Sequence, residues 1–479
     1  MSALLLLGSC TKDLISLDYS EINPNIFPKT DADLKAMVNA AYHPLRGSYG
    51  DGIHSTSEKG VIYINDATTE ILYGPYGDQL LASMHNYRST DAAFTHFYDD
   101  YYNKISRMTN TIDLITRSSV SDELKKKAIA EVRCARGILA YTLFDLYGPI
   151  VIAPLELLQN PLKEEPLARL SNEETVAFIE ADLVAASENL SAPGEAEYGR
   201  FNKALAKMVQ IRLNLHEKKW AKVLALSNEI IAYNKYVLDP NYVGMWDLEG
   251  GKNSKEVIWA IPCDYAGTSE NQWQLMVLPA VFAPKGGFGT IQSTWYFYDS
   301  FESTDKRRTM LIAAFTGTDG VTYNRTNPGT LINFGPIPLK INQDAARTTG
   351  LTTVDIIMYR YADVLLSKAE AISNISGPNQ EAIDLVNTVR ARAGLPARLL
   401  ANYNSLTLFN DLILTERSHE FWCENGQYRA DLIRMGKFVS RTQEVKKSTF
   451  TGPTKVLYPF SSARISEGKG KFIQNPGYN

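Results

Sequence analysis

Between Ser121 and Tyr147, apolar side chains return every three or four residues: Leu124, Ala128, Val132, Ala135, Leu139, Leu143 and Leu146. That spacing lines one face of an α-helix and predicts a helix across the whole segment. Ser121 is placed to cap its first turn, where Asp122 and Glu123 favour the helix dipole. Gly148 and Pro149 stop it. A helix of this kind has one apolar stripe and must bury it against another element.

Neighbours of the same kind follow. Asn172 to Asn189 reads as a partner helix. Phe201 to Leu238 reads as a helix pair, with Ala204, Leu205, Met208, Ile211 and Leu215 on one stripe and Trp220, Val223, Leu224, Ile230 and Ile231 on the next. Glu217 to Lys219 joins them. Asp355 to Ile375 and Asn379 to Ala393 repeat the arrangement, broken at Gly377 and Pro378, and Asp33 to Tyr42 with Phe94 to Thr116 supplies another pair. Stacked helix pairs that need one another to bury a core are the logic of a tetratricopeptide-type array. The expectation is a mainly α chain: one domain over 11–479, with a helical array at about 31–238 and 354–440. The stretch from about 239 to 353 breaks the period. It is rich in Gly, Pro, Asn and aromatics, has short strand-like runs such as Glu256 to Ile261, and reads as a long irregular insertion forming a ligand face.

The 479 residues carry a net charge of −4. That balance offers no basic field for nucleic acid. The four cysteines, Cys10, Cys134, Cys263 and Cys423, make no zinc-like spacing with one another or with the six histidines. No apolar run reaches the ~18 residues of a membrane-spanning helix.

The chain opens MSALLLLGSC. Leu7, Gly8, Ser9 and Cys10 resemble the end of a bacterial lipoprotein signal, so residues 1–10 are taken as a signal remnant and Cys10 as the site of lipidation. Lys12 and Asp13 then begin a polar tether. A signal normally has a positive n-region, and this one lacks Lys or Arg before the leucines.

Five segments together resemble the SusD/RagB family of outer-membrane nutrient-binding lipoproteins. The first is the lipobox at Cys10. The second is EVRCARGILAYTLFDLYGPI, with Glu131, Arg133, Arg136, Tyr141, Asp145, Tyr147, Gly148 and Pro149. The third is YRYADVLLSKAEA, from Tyr359 to Ala371. The fourth is LVNTVRARAGL followed by TERSHEFWCENGQYRADLIRMGK, carrying Arg390, Glu416, Arg417, Glu424, Asp431 and Arg434, with Asn425 as a one-residue insertion before Gly426. The fifth is the ending, with Pro459, Gln474, Asn475, Pro476, Gly477 and Tyr478. The resemblance implies helix pairs bearing an irregular face. It also implies a lipid anchor in the outer membrane at the cell surface, and partnership with a TonB-dependent transporter of the SusC type to which captured oligosaccharide is handed. Some relatives capture peptides instead. A structural calcium ion is known in some relatives, and no ligands for one are assignable here.

Six of the matched charged residues, Arg390, Glu416, Arg417, Glu424, Asp431 and Arg434, lie on helical segments amid apolar neighbours. Packed Arg–carboxylate pairs that lock helices together are the expected role, since a buried charge needs a partner. No catalytic residues are assigned. Asp264 with Glu270, and Asp299 with Glu302 and Asp305, are carboxylate pairs of the type glycoside hydrolysis needs, but solvated loop acids are the simpler reading, and no GxSxG, HExxH or phosphate-loop string is present.

Sugars offer apolar C–H faces ringed by hydroxyls, so a binding site wants aromatic faces with amides and carboxylates beside them. Two segments have that composition, in the regions where the resemblance places ligand loops. One is NDATTEILYGPYGDQ, where a turn at Gly74-Pro75 would project Tyr73 and Tyr76. The other is DYAGTSENQWQ, with Asp264, Asn271 and Trp273, followed by Phe288 in a glycine loop. Trp246 and Trp295 are weaker candidates, the latter opening a WYFYDSF run that reads as a packed helix.

Overall fold

The computed structural model describes residues 27–47, 52–160, 162–163, 165–264, 271–283, 285–341 and 351–478. Cys10, the rest of 1–26 and the Tyr265–Glu270 segment lie outside the described residues.

The long helices form where the apolar period placed them. Asp122–Tyr147 is one continuous helix, with the Ser121 hydroxyl accepting from the Leu124 amide and Gly148 taking φ +72° just past its end. That φ suits glycine at a helix C-terminus. Asn172–Asn189 starts in a capping box between Ser171 and Glu174. Lys203–His216 and Trp220–Ala232 form the next pair. Each helix packs on the next: Ala92–Arg117 on Asp122–Tyr147, then Asn172–Asn189, Lys203–His216, Trp220–Ala232, Tyr361–Ser376 and finally Gln380–Arg392 and Leu406–Phe421. The N-terminal Asp31–Tyr42 helix rests chiefly on Asp122–Tyr147 and only lightly on Ala92–Arg117, which corrects the pairing expected from the sequence. Among the described residues no helix is long and apolar enough to cross a membrane.

One boundary differs from the periodic reading. Residues 356–360 are a strand, paired antiparallel with Val257–Ile261, and the helix begins only at Tyr361. Ile356, Ile357, Met358 and Tyr359 are all buried, so the run has no polar face to reveal its period. Three further two-stranded ladders involve the irregular region: Gln292–Ser293 with the outlying Leu72–Tyr73, Leu311–Ile312 with Ile337–Pro338, and Phe315–Thr316 with Thr322–Tyr323.

Buried ion pairs join this region to the array. Arg307 is fully enclosed and donates to Asp305 at 2.7 Å, Glu416 at 2.6 Å and Glu420 at 2.8 Å. Arg360 reaches Glu256, Glu420 and Glu424 at 2.5, 2.6 and 2.7 Å. Lys340 donates to Glu424 at 2.6 Å and to the carbonyls of Glu420 and Trp422. Burial alone would raise the Glu420 carboxyl, but Arg392, Arg360 and Arg307 outweigh it and hold it well below the usual carboxylate range. Arg417 bridges Asp363 and Asp431 at 2.9 and 2.7 Å, and Arg434 pairs with Glu370 at 2.8 Å. The motif charges are therefore the lock between helices that their apolar setting predicted.

Candidate ligand face

The Leu72–Tyr73 strand places Tyr73 opposite Gln292. A third segment closes on the same ladder: the Ser293 amide donates to Pro336 O at 2.8 Å, and the Trp295 amide to Phe334 O at 3.0 Å. Gly335 permits this approach, because a Cβ there would fall 1.9 Å from Ser293 O. Gln292 is buried and ties the segment down, accepting from the Phe334 amide at 2.9 Å and donating to Thr330 O and Asn333 Oδ1. Phe334 is thereby laid on Tyr73, with ring centroids 4.2 Å apart and planes 23° from parallel. Both rings remain partly exposed.

The short Trp295–Ser300 helix continues the surface. Its Thr294 cap accepts from the Phe297 amide, and Phe297 alone among its aromatics is buried. Trp295, Tyr296 and Tyr298 reach solvent to differing extents. Trp295 meets Tyr298 edge-on at 5.7 Å and carries the Arg325 guanidinium 4.7 Å above its ring. Arg325 is held there by two 2.8 Å hydrogen bonds to Asp299. Burial raises the Tyr73 phenol above its ordinary range, so it stays a hydrogen-bond donor at neutral pH. The result is a ledge of ring surface, Tyr73, Phe334, Trp295 and Tyr298, edged by Asn333 and the Asp299–Arg325 pair. Such a surface stacks on the C–H face of a sugar and hydrogen-bonds its hydroxyls.

The residues expected from the sequence divide among this ledge, other exposed positions and the interior. Tyr73 is on the ledge, and Tyr76 is 61% exposed just past Gly74-Pro75, where the expected turn is not formed. Phe288 is 67% exposed, a few residues before Gln292. Asp264 is exposed too, but it follows the Val257–Ile261 strand, which belongs to a different ladder. Asn271 and Trp273 require correction as ligand contacts: each is 0% exposed. Asn271 donates to Val354 O and accepts from Thr56 and from the Trp273 amide. The Trp273 indole donates to Pro338 O at 2.8 Å and meets Tyr63 edge-on at 6.2 Å. Its neighbours Met276, Val277 and Leu278 are buried with it, so this turn is core beneath the face. Trp246 is buried as well.

Phe334 was not anticipated, and the signal for it was available. Tyr73-Gly74-Pro75 and Phe334-Gly335-Pro336 are the same aromatic-Gly-Pro tripeptide. At Phe334-Gly335 the chain bends beside the ring. Of the carboxylates considered for hydrolysis, Asp299 is paired with Arg325, Glu302 with Arg390 and Arg398, and Asp305 with Arg307, while Glu270 lies outside the described residues. Among the described residues no three His, Cys, Asp or Glu side chains converge as a metal site.

A larger cleft, about 680 Å³, opens elsewhere between the Ala92–Arg117 helix and the C-terminal segment. Its aromatic floor has Tyr102 parallel to Tyr98 at 5.3 Å and under the Arg464 guanidinium at 4.3 Å. The ledge differs in gathering Tyr73, from one of the two segments whose composition suits a sugar, with Phe334 at 4.2 Å.

A tetratricopeptide-like helical array carrying an aromatic ligand face defines the class of protein. The profile described as the SusD family matches residues 312–478, and the one described as starch-binding associating with outer membrane matches residues 18–213. Two SusD-like proteins of Formosa agariphila are similar along nearly the full chain. One is 24% identical over 94% of this chain and 91% of its own, the other 25% over 90% and 89%. Among solved structures, the surface glycan-binding protein A of Bacteroides thetaiotaomicron in complex with laminarihexaose superposes with TM-score 0.75 at 19% identity, covering 93% of this chain and all of that one. A SusD homolog from the same species gives 0.78 at 18%, covering 95% and 98%. The chain belongs to the SusD/RagB family.

Proposed function

We propose that the protein is a cell-surface glycan-binding lipoprotein, anchored in the outer membrane through Cys10. It captures oligosaccharide on the Tyr73–Phe334–Trp295 ledge and passes it to a SusC-like TonB-dependent transporter. The stacked Tyr73–Phe334 pair carries the reading, because two partly exposed rings held by a strand ladder form a rigid apolar platform with hydrogen-bonding groups at its edge. The glycan ligands named for the similar surface glycan-binding proteins support it. The role is capture without chemistry: the acids nearest the ledge are neutralised in ion pairs, and a paired carboxylate is poorly placed to exchange protons with a glycosidic oxygen.

The test is affinity electrophoresis and calorimetry of the soluble chain against a panel of polysaccharides and peptides. Retardation by one glycan class, with the glycan recovered intact, is the expected result. Binding confined to peptides would move the protein to the peptide-capturing branch, and release of shorter sugars would make it a hydrolase.

A further inference from the structure

Three arginines lie over the three outward rings of the Trp295–Ser300 helix. Arg325 is 4.7 Å from the Trp295 ring, Arg441 5.6 Å from Tyr296 and Arg308 4.1 Å from Tyr298. Two of them are neutralised. Arg325 holds Asp299 with two bonds, and Arg441 has Glu70 and Glu444 at 3.8 and 3.9 Å. Arg308 differs. Among the described residues no carboxylate pairs with it, and its Nε is buried without a hydrogen-bond partner. The nearest acid along the chain, Asp305, is committed to Arg307 through both oxygens.

Arg308 lines a groove of about 330 Å³ with Tyr298, the hydroxyl residues Ser303 and Thr309, and Asp305, whose buried carboxylate is held by Arg307. The groove adjoins the ledge, because Tyr298 is a shared wall: one neighbour of its ring is Trp295 at 5.7 Å, the other Arg308 at 4.1 Å. A flat, half-buried guanidinium with donors to spare is suited to two oxygens of an anion. We propose that the glycans this protein captures are anionic, and that Arg308 takes the carboxylate or sulfate oxygens of a sugar lying beyond Trp295. This deepens the glycan-capture reading and rests on it.

The measurement is calorimetry of the full chain with three oligosaccharides: an oligogalacturonate, a sulfated galactan oligosaccharide and neutral laminarihexaose. At least one of the two anionic ligands binds more tightly than the neutral one, its affinity falling as NaCl is raised, and which of them does so tells carboxylate from sulfate ester. Arg308→Gln lowers that affinity about tenfold or more, the usual worth of a hydrogen bond to a charged group, and leaves laminarihexaose unchanged. Arg308→Lys restores part of it. Anionic and neutral ligands that bind alike, or an Arg308→Gln variant that binds the anionic ligand like the wild type, overturn the inference while Tyr73→Ala still reports on the ledge. If no member of the set binds, or if Tyr73→Ala weakens none of them, the ledge reading falls and this inference falls with it.

Discussion

Tyr73, from the N-terminal part of the chain, and Phe334, from the irregular region, meet ring on ring at 4.2 Å, each from an aromatic-Gly-Pro tripeptide. Neither ring belongs to the buried core, so removing either should spare the fold. Tyr73→Ala and Phe334→Ala are each expected to weaken glycan binding about fivefold, the worth of one aromatic contact, with thermal unfolding little changed. Calorimetry on both variants checks this, and wild-type affinity in both would remove the ledge from the site.

Trp273 behaves in the opposite way. It is enclosed, with its indole N–H on Pro338 O. Trp273→Ala leaves a cavity and an unpaired carbonyl, and should cost about 3–5 kcal/mol. Urea unfolding measures it. A loss under about 1 kcal/mol together with weakened glycan binding would return Trp273 to the ligand face.

Arg307 joins the irregular region to the array. Arg307→Met leaves Asp305 without its bidentate partner and removes one cation from Glu416 and Glu420. Stripping one side of a buried pair costs about 3–5 kcal/mol. The double variant Arg307→Met/Asp305→Asn should recover part of that loss, and a double-mutant cycle in urea measures the coupling.

His85 sets a pH dependence. Burial lowers its pKa to about 3 from an ordinary 6.5, and its ring is held by Thr451 and Thr68 O and stacked on Phe438 at 4.5 Å. The unfolded chain takes up this proton below 6.5 while the folded chain does not, so stability falls as pH drops through that window, by up to about 1.4 kcal/mol per pH unit. His54, also lowered to about 3 by burial, adds to the loss. Asp66 opposes it: burial raises its pKa to about 7, so below neutrality the folded state holds a proton that the unfolded state has released. His85→Gln should flatten the acid limb of a stability–pH profile measured from pH 7 to pH 4, and an unchanged slope would remove His85 as its source.

Cys10 gives a binary outcome. Cells expressing the full chain should incorporate a clickable fatty acid into it and retain it in the membrane fraction. Cys10→Ala should abolish both, and labelling that survives the substitution would move the anchor elsewhere.

The helical array could be read from single residues because its signals are local. Ser121 caps, Gly148 and Pro149 stop, and the apolar stripe between them fixes the face. The strand at 356–360 could not be read in this way. Ile356 to Tyr359 is apolar on both sides, and such a run looks the same at the start of a buried helix. What makes it a strand is Val257–Ile261, remote in sequence. The ligand face shows the same division. The exposure of Tyr73 and Tyr76 agrees with the reading of their Gly-Pro segment. Trp273 and Trp295 have similar local surroundings, and what separates them is long-range: Pro338 and Tyr63 close over one, while the other emerges from a helix whose buried ring is Phe297.

The enclosed carboxylate of Glu420 is held at once by Arg307 from the irregular region, Arg360 from the strand and Arg392 from the array. A single helix residue is thus the rivet through three parts of the molecule, and the ligand face inherits the stiffness of the scaffold under it. On the glycan-capture proposal, a sugar arriving at the ledge meets a preformed surface and loses little affinity to ordering loops. The same construction makes the face interchangeable: rings and rim residues can be replaced to suit another polymer while the riveted frame beneath goes on folding as before.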